Sequence, residues 1–205
     1  MSEQEKSHRL AGIYRRIEDD PGYRNDRMGC VLVPGSGSFE DGAIVLVGEA
    51  PGSEEEKQRT PFVGMAGKNL NKLLDCAGLS REDVFITNVV KYRPVKGAAN
   101  RKPSAAELRY ALPYLLEELE ILKPGLVVCL GLCAAQTLTG DRLMMDRSNG
   151  AIMERFGKRI LITYHPSPLN YMIARKREAM VKVFRTLTEI NRAAPGASIV
   201  KAPGP

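Results

Sequence analysis

No stretch of this 205-residue chain is apolar for the ~18 residues that a membrane-spanning helix needs. Nothing repeats internally. The four cysteines, Cys30, Cys76, Cys129 and Cys133, form no Cys-x-x-Cys pair, which argues against a bound metal. Cys76 and Cys129 lie in apolar runs and read as buried thiols. There are only two histidines, His8 and His165, so any imidazole chemistry falls on one of them. A phosphate loop is missing as well. Gly64-Met65-Ala66-Gly67-Lys68 looks like one, but Phe62 stands where its first glycine belongs and Asn69 replaces Ser or Thr. That argues against a nucleoside triphosphatase. The start, Met1 to Lys6, is too polar and acidic for a signal peptide, so the expectation is a cytoplasmic protein with no membrane partner.

What is present is a globular composition, 43% hydrophobic and 26% charged. The formal charge of +6 permits a polyanionic partner without demanding one. The length suits one domain over residues 1–191, and a monomer is the default expectation. From Arg192 to Pro205 the chain is rich in Ala, Pro and Gly and reads as a disordered tail.

Helical and strand patterns alternate. Leu10, Ile13, Tyr14 and Ile17 give helical spacing over residues 4–18. Residues 19–42 read as loop. Strands are expected at 43–47, 84–87, 126–130 and 159–163, short and mostly apolar. Helices are expected at 67–77, from Ser104 to Pro124, across 134–138 and over 169–191. Ser104-Ala105-Ala106-Glu107 is a capping box. The fold class is α/β, a three-layer α/β/α arrangement around a mostly parallel four-stranded sheet. Ligands in such sheets bind at the carboxyl ends of strands. Gly48-Glu49, Asn88, Gly131 and Tyr164-His165-Pro166 all fall there, so four strand ends converge on one crevice.

His165 stands between an aromatic residue and a turn-fixing proline at a strand end, which points to function. His8 lies on a helix and reads as surface. The Asn88 amide either reads a base edge that shows both a donor and an acceptor or caps its loop. Glu49 is a general base, an electrostatic stabiliser or a carboxylate bonded to the turn. Phe62 is a stacking platform or core. Glu54, Glu55 and Glu56 read as mostly solvated. Arg93, Lys96, Arg101 and Lys102, with Arg175, Lys176 and Arg177, flank the crevice as phosphate contacts or as solvated surface.

Together these segments resemble the uracil-DNA glycosylases, of the family 4 type. The matching stretches are Gly48 to Gly52, Pro61 to Gly67, Thr87-Asn88-Val89-Val90-Lys91 with Arg93-Pro94, Lys123-Pro124 with Leu130-Gly131, and His165-Pro166-Ser167. Each is weak alone; in this order, at strand ends, they are specific. The resemblance implies a glycosylase that removes uracil from single- or double-stranded DNA. Phe62 would stack on the extruded base and Asn88 would hydrogen-bond its edge beside Gly48. His165 would donate to the leaving base, and Glu49 would lie beside the sugar, with Glu55 a weaker candidate. Gly52 and Ser167 would pinch the phosphate backbone, Arg93 and Arg101 would contact DNA, and Leu169 would enter the duplex.

One departure is large. Family 4 enzymes usually hold an iron–sulfur cluster on four cysteines. Here Tyr92 and Tyr110 stand at two of the corresponding places and no N-terminal cysteine pair exists. The expectation is no cofactor, with Tyr92 and Tyr110 packing together instead. The insertion Pro168-Leu169-Asn170-Tyr171 bears on handling of single against double strands. Besides a uracil glycosylase, three alternatives stand: a glycosylase for other deaminated bases such as hypoxanthine, a non-catalytic binder of damaged or single-stranded DNA, and a small nucleotide-metabolism enzyme.

Overall fold

The structure is a computed structural model that describes residues 1–192; the expected tail beyond Arg192 lies outside the described residues. The chain opens with α1 (Glu3–Asp19), capped by Ser2, whose hydroxyl accepts from Glu5 N. Its buried Lys6, Leu10, Ile13 and Ile17 form one stripe. Then follow β1 (Ser36–Gly37), β2 (Ile44–Gly48), α2 (Ser53–Gln58), α3 (Met65–Cys76), β3 (Val84–Asn88) and the small ribbon β4 (Val95–Lys96) with β5 (Ala99–Asn100). The second half comprises α4 (Ala105–Leu122), β6 (Leu126–Leu130), α5 (Leu132–Thr139), α6 (Met145–Ser148), β7 (Ile152–Arg155), β8 (Lys158–Thr163), α7 (Pro168–Met172), α8 (Ala174–Arg185) and α9 (Leu187–Arg192).

The sheet order is β1-β3-β2-β6-β8-β7. The four expected strands β3, β2, β6 and β8 run parallel, as anticipated. Two further strands, β1 and β7, pair antiparallel at the edges, so the sheet has six strands rather than four. Alternation along the strands divides the core. Val45, Val47, Phe85, Val127 and Cys129 face α1, α4 and α5. Ile44, Leu46, Val84, Ile86 and Val128 face α3, α8 and α9. Helices therefore cover both faces, which is why the strands are apolar along most of their length. Among the described residues no helix is long and apolar enough to cross a membrane.

After β2 the chain adds β3 on one side and, through α4, β6 on the other. The direction of winding reverses at β2, which leaves a crevice beyond the strand carboxyl ends. Three local expectations need correction. The single last helix breaks into α7, α8 and α9, with Ile173 extended at the first break; Asn170 Nδ2 donates to His165 O, which ties α7 to the preceding loop. Cys76 is exposed rather than buried, because it ends α3 off the stripe of Leu70, Leu73 and Leu74. Among the three acids after Ser53, only Glu54 is exposed; Glu55 and Glu56 are bonded inside the fold.

Candidate active site

A cleft of about 1020 Å³ opens at the crevice. Asn88 and Phe62 line it, and Gly48, paired in register with Asn88, lies beside them. A Cβ at Gly48 would lie 2.4 Å from Asn88 Oδ1 and 2.6 Å from the Phe62 ring. Only a bare backbone lets the amide and the ring meet above the strand end. Asn88 is 3% exposed, and its Oδ1 has no hydrogen-bond partner. A buried amide oxygen left unpaired costs ~1–3 kcal/mol, and such an exception marks a place for a ligand.

Phe62 reaches this point in the left-handed region, with φ of 55°. That conformation is strained for a bulky residue. Arg81 holds it: its guanidinium donates to Phe62 O at 3.0 Å and to Pro61 O at 2.7 Å. Gly67 permits the close return of α3, since a Cβ there would sit 1.8 Å from Phe62 O. Nothing local in the sequence singles out Arg81, which stands twenty residues from Pro61.

His165 follows β8 at the opposite wall. Its ring lies 5.7 Å from the Phe62 ring at 33°. Burial pushes its pKa down to about 4, against a smaller upward pull from Glu55, so the imidazole is neutral near pH 7. Its loop is pinned twice: Asn69 Nδ2 donates to Pro166 O and Asn170 Nδ2 to His165 O. Asn69, like Arg81, lies outside the residues the sequence singled out.

The two candidate acids separate cleanly. Glu55 accepts from Gly52 N through Oε2 and from Val63 N and Gly64 N through Oε1. It stitches the Gly48–Gly52 turn to the Phe62 loop and closes the start of α2. Glu49 lines the cleft. Burial raises its carboxyl pKa, while Lys102 and the Cys133 thiol act in the opposite direction. Of the two, Glu55 is the one with both oxygens bonded to backbone amides.

The remaining expected residues fall in two groups. Gly52, Ser167 and Leu169 line the cleft, and Leu169 stands 77% exposed at its rim. Arg93 and Arg101 are engaged internally. Arg93 binds Asn100, Glu56 and Ala98 O, and Arg101 forks onto Glu107 and reaches Arg27 O. Both guanidinium groups brace the β4–β5 ribbon. Lys102 and Lys176 line the cleft, and so does Arg101.

The residues where an iron–sulfur cluster would sit do not fit one. Cys30 is exposed, while Cys129 lies in β6, Cys133 on α5 and Cys76 at the end of α3; a cluster needs four converging thiolates. Tyr92 and Tyr110 stand at two positions where the resemblance puts ligands. Tyr23 packs edge-on against Tyr92, Tyr110 and Tyr114, with centroids at 6.0, 6.2 and 5.3 Å. Tyr92 and Tyr110 thus meet through Tyr23. The Asp20 carboxylate accepts from both the Tyr110 and Tyr114 hydroxyls.

Comparison with known proteins by sequence points to one superfamily. A family model described as the uracil DNA glycosylase superfamily matches residues 34–188. The type-4 uracil-DNA glycosylase of Archaeoglobus fulgidus is 40% identical over 166 residues, covering 77% of this chain and 81% of its own. That of Thermotoga maritima is 41% identical over 140 residues, covering 67% and 71%. A type-5 uracil-DNA glycosylase of Pyrobaculum aerophilum is 32% identical over 160 residues, covering 69% of each. With its sheet, its strand-end residues and these relatives in agreement, the chain belongs to the uracil-DNA glycosylase superfamily.

Proposed function

We propose that this chain is a monofunctional DNA glycosylase that hydrolyses the N-glycosidic bond of uracil in DNA and leaves an abasic site. The observation that carries the reading is the buried, unpartnered Asn88 amide facing Phe62 and a neutral His165 in one cleft. The target atoms are inaccessible inside a base stack, so extrusion of the nucleotide precedes chemistry. Leu169, at the rim, fills the space vacated in the duplex. Gly52 and Ser167 approach the phosphates, and Lys102 and Lys176 supply the charge that Arg93 and Arg101 spend on the fold.

Inside the cleft Phe62 stacks on the ring, worth ~1–3 kcal/mol per base. Asn88 accepts from uracil N3–H through Oδ1 and donates to O4 through Nδ2. As the C1′–N1 bond breaks, its electron pair passes to the base and charge gathers on the pyrimidine oxygen. Neutral His165 donates an N–H to that oxygen, an interaction worth ~2.7–4 kcal/mol for one well-placed donor. Glu49 faces the positive sugar centre and orients the water that attacks C1′. The reaction needs a good leaving group more than a strong nucleophile, so His165 and Asn88 carry more of it than Glu49.

The protein works as a monomer in the cytoplasm and without an iron–sulfur cluster, on the strength of the tyrosines in its place. Colourless, iron-free protein with full activity is the expected result. Release of another deaminated base such as hypoxanthine is the second reading, since the Asn88 amide carries both a donor and an acceptor. Oligonucleotides carrying one uracil, one hypoxanthine or neither, single- and double-stranded, test both through alkali-labile sites and identification of the freed base. Absence of alkali-labile sites on uracil substrates would sink the proposal.

A further inference from the structure

The largest polar group the chemistry leaves unused is buried directly behind Asn88. The Lys91 and Glu118 side chains are both 0% exposed, with Lys91 Nζ 2.5 Å from Glu118 Oε2. An ammonium has three donors, and here each has an acceptor: Glu118 Oε2, Thr87 Oγ1 at 2.7 Å and the Asn88 carbonyl at 2.6 Å. Glu118 is held in turn, since Tyr14 OH donates to its Oε1 at 2.6 Å. The Tyr14 hydroxyl accepts from Gly35 N. One connected network therefore runs from α1 through α4 to the end of β3.

Stability alone does not explain it. Replacing a buried ion pair with apolar side chains of similar volume is often neutral or stabilising, whereas removing one partner is strongly destabilising. What the network does hold is a position. The β2–β3 register ends at Gly48 and Asn88; beyond it, Val89 N and Val90 N bond back to Gly48 O and Glu49 O. The peptide that leaves Asn88 is therefore held at both ends, by Val89 N on Gly48 O and by Lys91 Nζ on its carbonyl, and without the ammonium that buried carbonyl would lose its donor and half of its anchorage. A displacement of ~1 Å at a reacting group can cost 10²-fold in rate.

We propose that Lys91 and Glu118 are positioning residues for base recognition, a buried brace that fixes the backbone of Asn88 so that its amide meets the uracil edge. The inference rests on the glycosylase reading of the cleft. Two properties of the free base and the abasic product separate it from a general role in folding. Free uracil uses the Asn88 seat, whereas abasic DNA has no base to place there.

The test is the double variant Lys91→Met/Glu118→Met in the full chain, compared with wild type for melting temperature, inhibition by free uracil and affinity for abasic-site DNA. The expected result is a folded protein melting within a few degrees of wild type or above it. Its uracil inhibition is weaker by about tenfold and its abasic-DNA affinity changes by less than threefold. A folded double variant with uracil inhibition changed less than threefold overturns the brace. Should the double variant not fold, Lys91→Gln carries the same threshold, because it keeps a polar side chain beside Glu118 while removing the ammonium that holds the Asn88 carbonyl. Wild-type protein that neither releases uracil nor is inhibited by it overturns the reading of the cleft and this inference together. An active wild type with unaffected variants overturns the inference alone.

Discussion

The cleft wall and the tyrosine cluster are built on the same mostly parallel sheet, yet they are finished differently. Around Tyr23 the polar groups are paired: Asp20 accepts two tyrosine hydroxyls, and Tyr23 OH accepts from Lys91 N. Around Phe62 the groups are less fully paired. Asn88 Oδ1 has no partner, the His165 ring is desolvated and neutral, and Glu49 is pushed toward its protonated form. A fold that satisfies one cluster and leaves the other open has spent its own interactions on shape in the first and kept them for a ligand in the second.

Substitutions should divide along that line. The largest effect is expected from His165→Ala, a loss of about 10²–10³ in the rate of uracil release, the size seen when one donor to developing charge is removed. Single-turnover kinetics on a uracil oligonucleotide measure it. A smaller loss, roughly tenfold, is expected from Arg81→Ala, which frees the strained Phe62 backbone without touching the base. Methylguanidinium in solution should restore part of that activity by refilling the place of the lost guanidinium; tetramethylammonium at equal ionic strength should not.

The pH dependence sharpens the same contrast. With His165 at about 4 in the fold, release should show no His165 limb between pH 6 and 8 and should fall to about half as pH drops through 4. The free imidazole titrates near 6.5. Between these two values the unfolded chain holds the extra proton, so acidification lowers stability in that window, and above about 6.5 this contribution is constant. Thermal melts from pH 4 to 8 check the direction. Last, Tyr114→Phe removes a hydroxyl that donates to Asp20 at 2.6 Å. The melting temperature should fall by about 2–4 °C, the shift of roughly 1 kcal/mol at this chain length, with uracil release unchanged below the transition. A Tyr114→Phe protein that is stable but inactive would erase the distinction between the two regions.

Much of this was legible in the chain. The four parallel strands announce themselves because strands buried on both faces are apolar along most of their length. Placing the chemistry at their carboxyl ends follows from the topology. The edge strands were not legible. β7 carries exposed Glu154 and Arg155 and turns into β8 through Phe156-Gly157, both at positive φ, without the Asn-Gly or Asp-Gly pair that advertises such a turn. Site residues whose work is done by their own side chains at a strand end, Asn88 and His165, stood out. Residues that work through another's backbone did not. Arg81 grips carbonyls twenty residues away, and Glu55 looked like one member of a solvated acid run until three backbone amides were found on its oxygens. The internal acceptors of Arg93 and Arg101, Glu56 and Glu107, were not legible either, because clustered charge on a loop carries no sign of them.

The most direct test of the open region as a uracil seat is single-turnover release of free uracil by wild type and by the Asn88→Ala/His165→Ala double variant, with both proteins shown to be folded by thermal melting. The expected result is release by wild type and a loss of about 10³-fold or more in the double variant, from one charge-stabilising donor and one base-edge hydrogen bond removed together. Comparable release by the two proteins would contradict the assignment of the leaving-base contacts to Asn88 and His165.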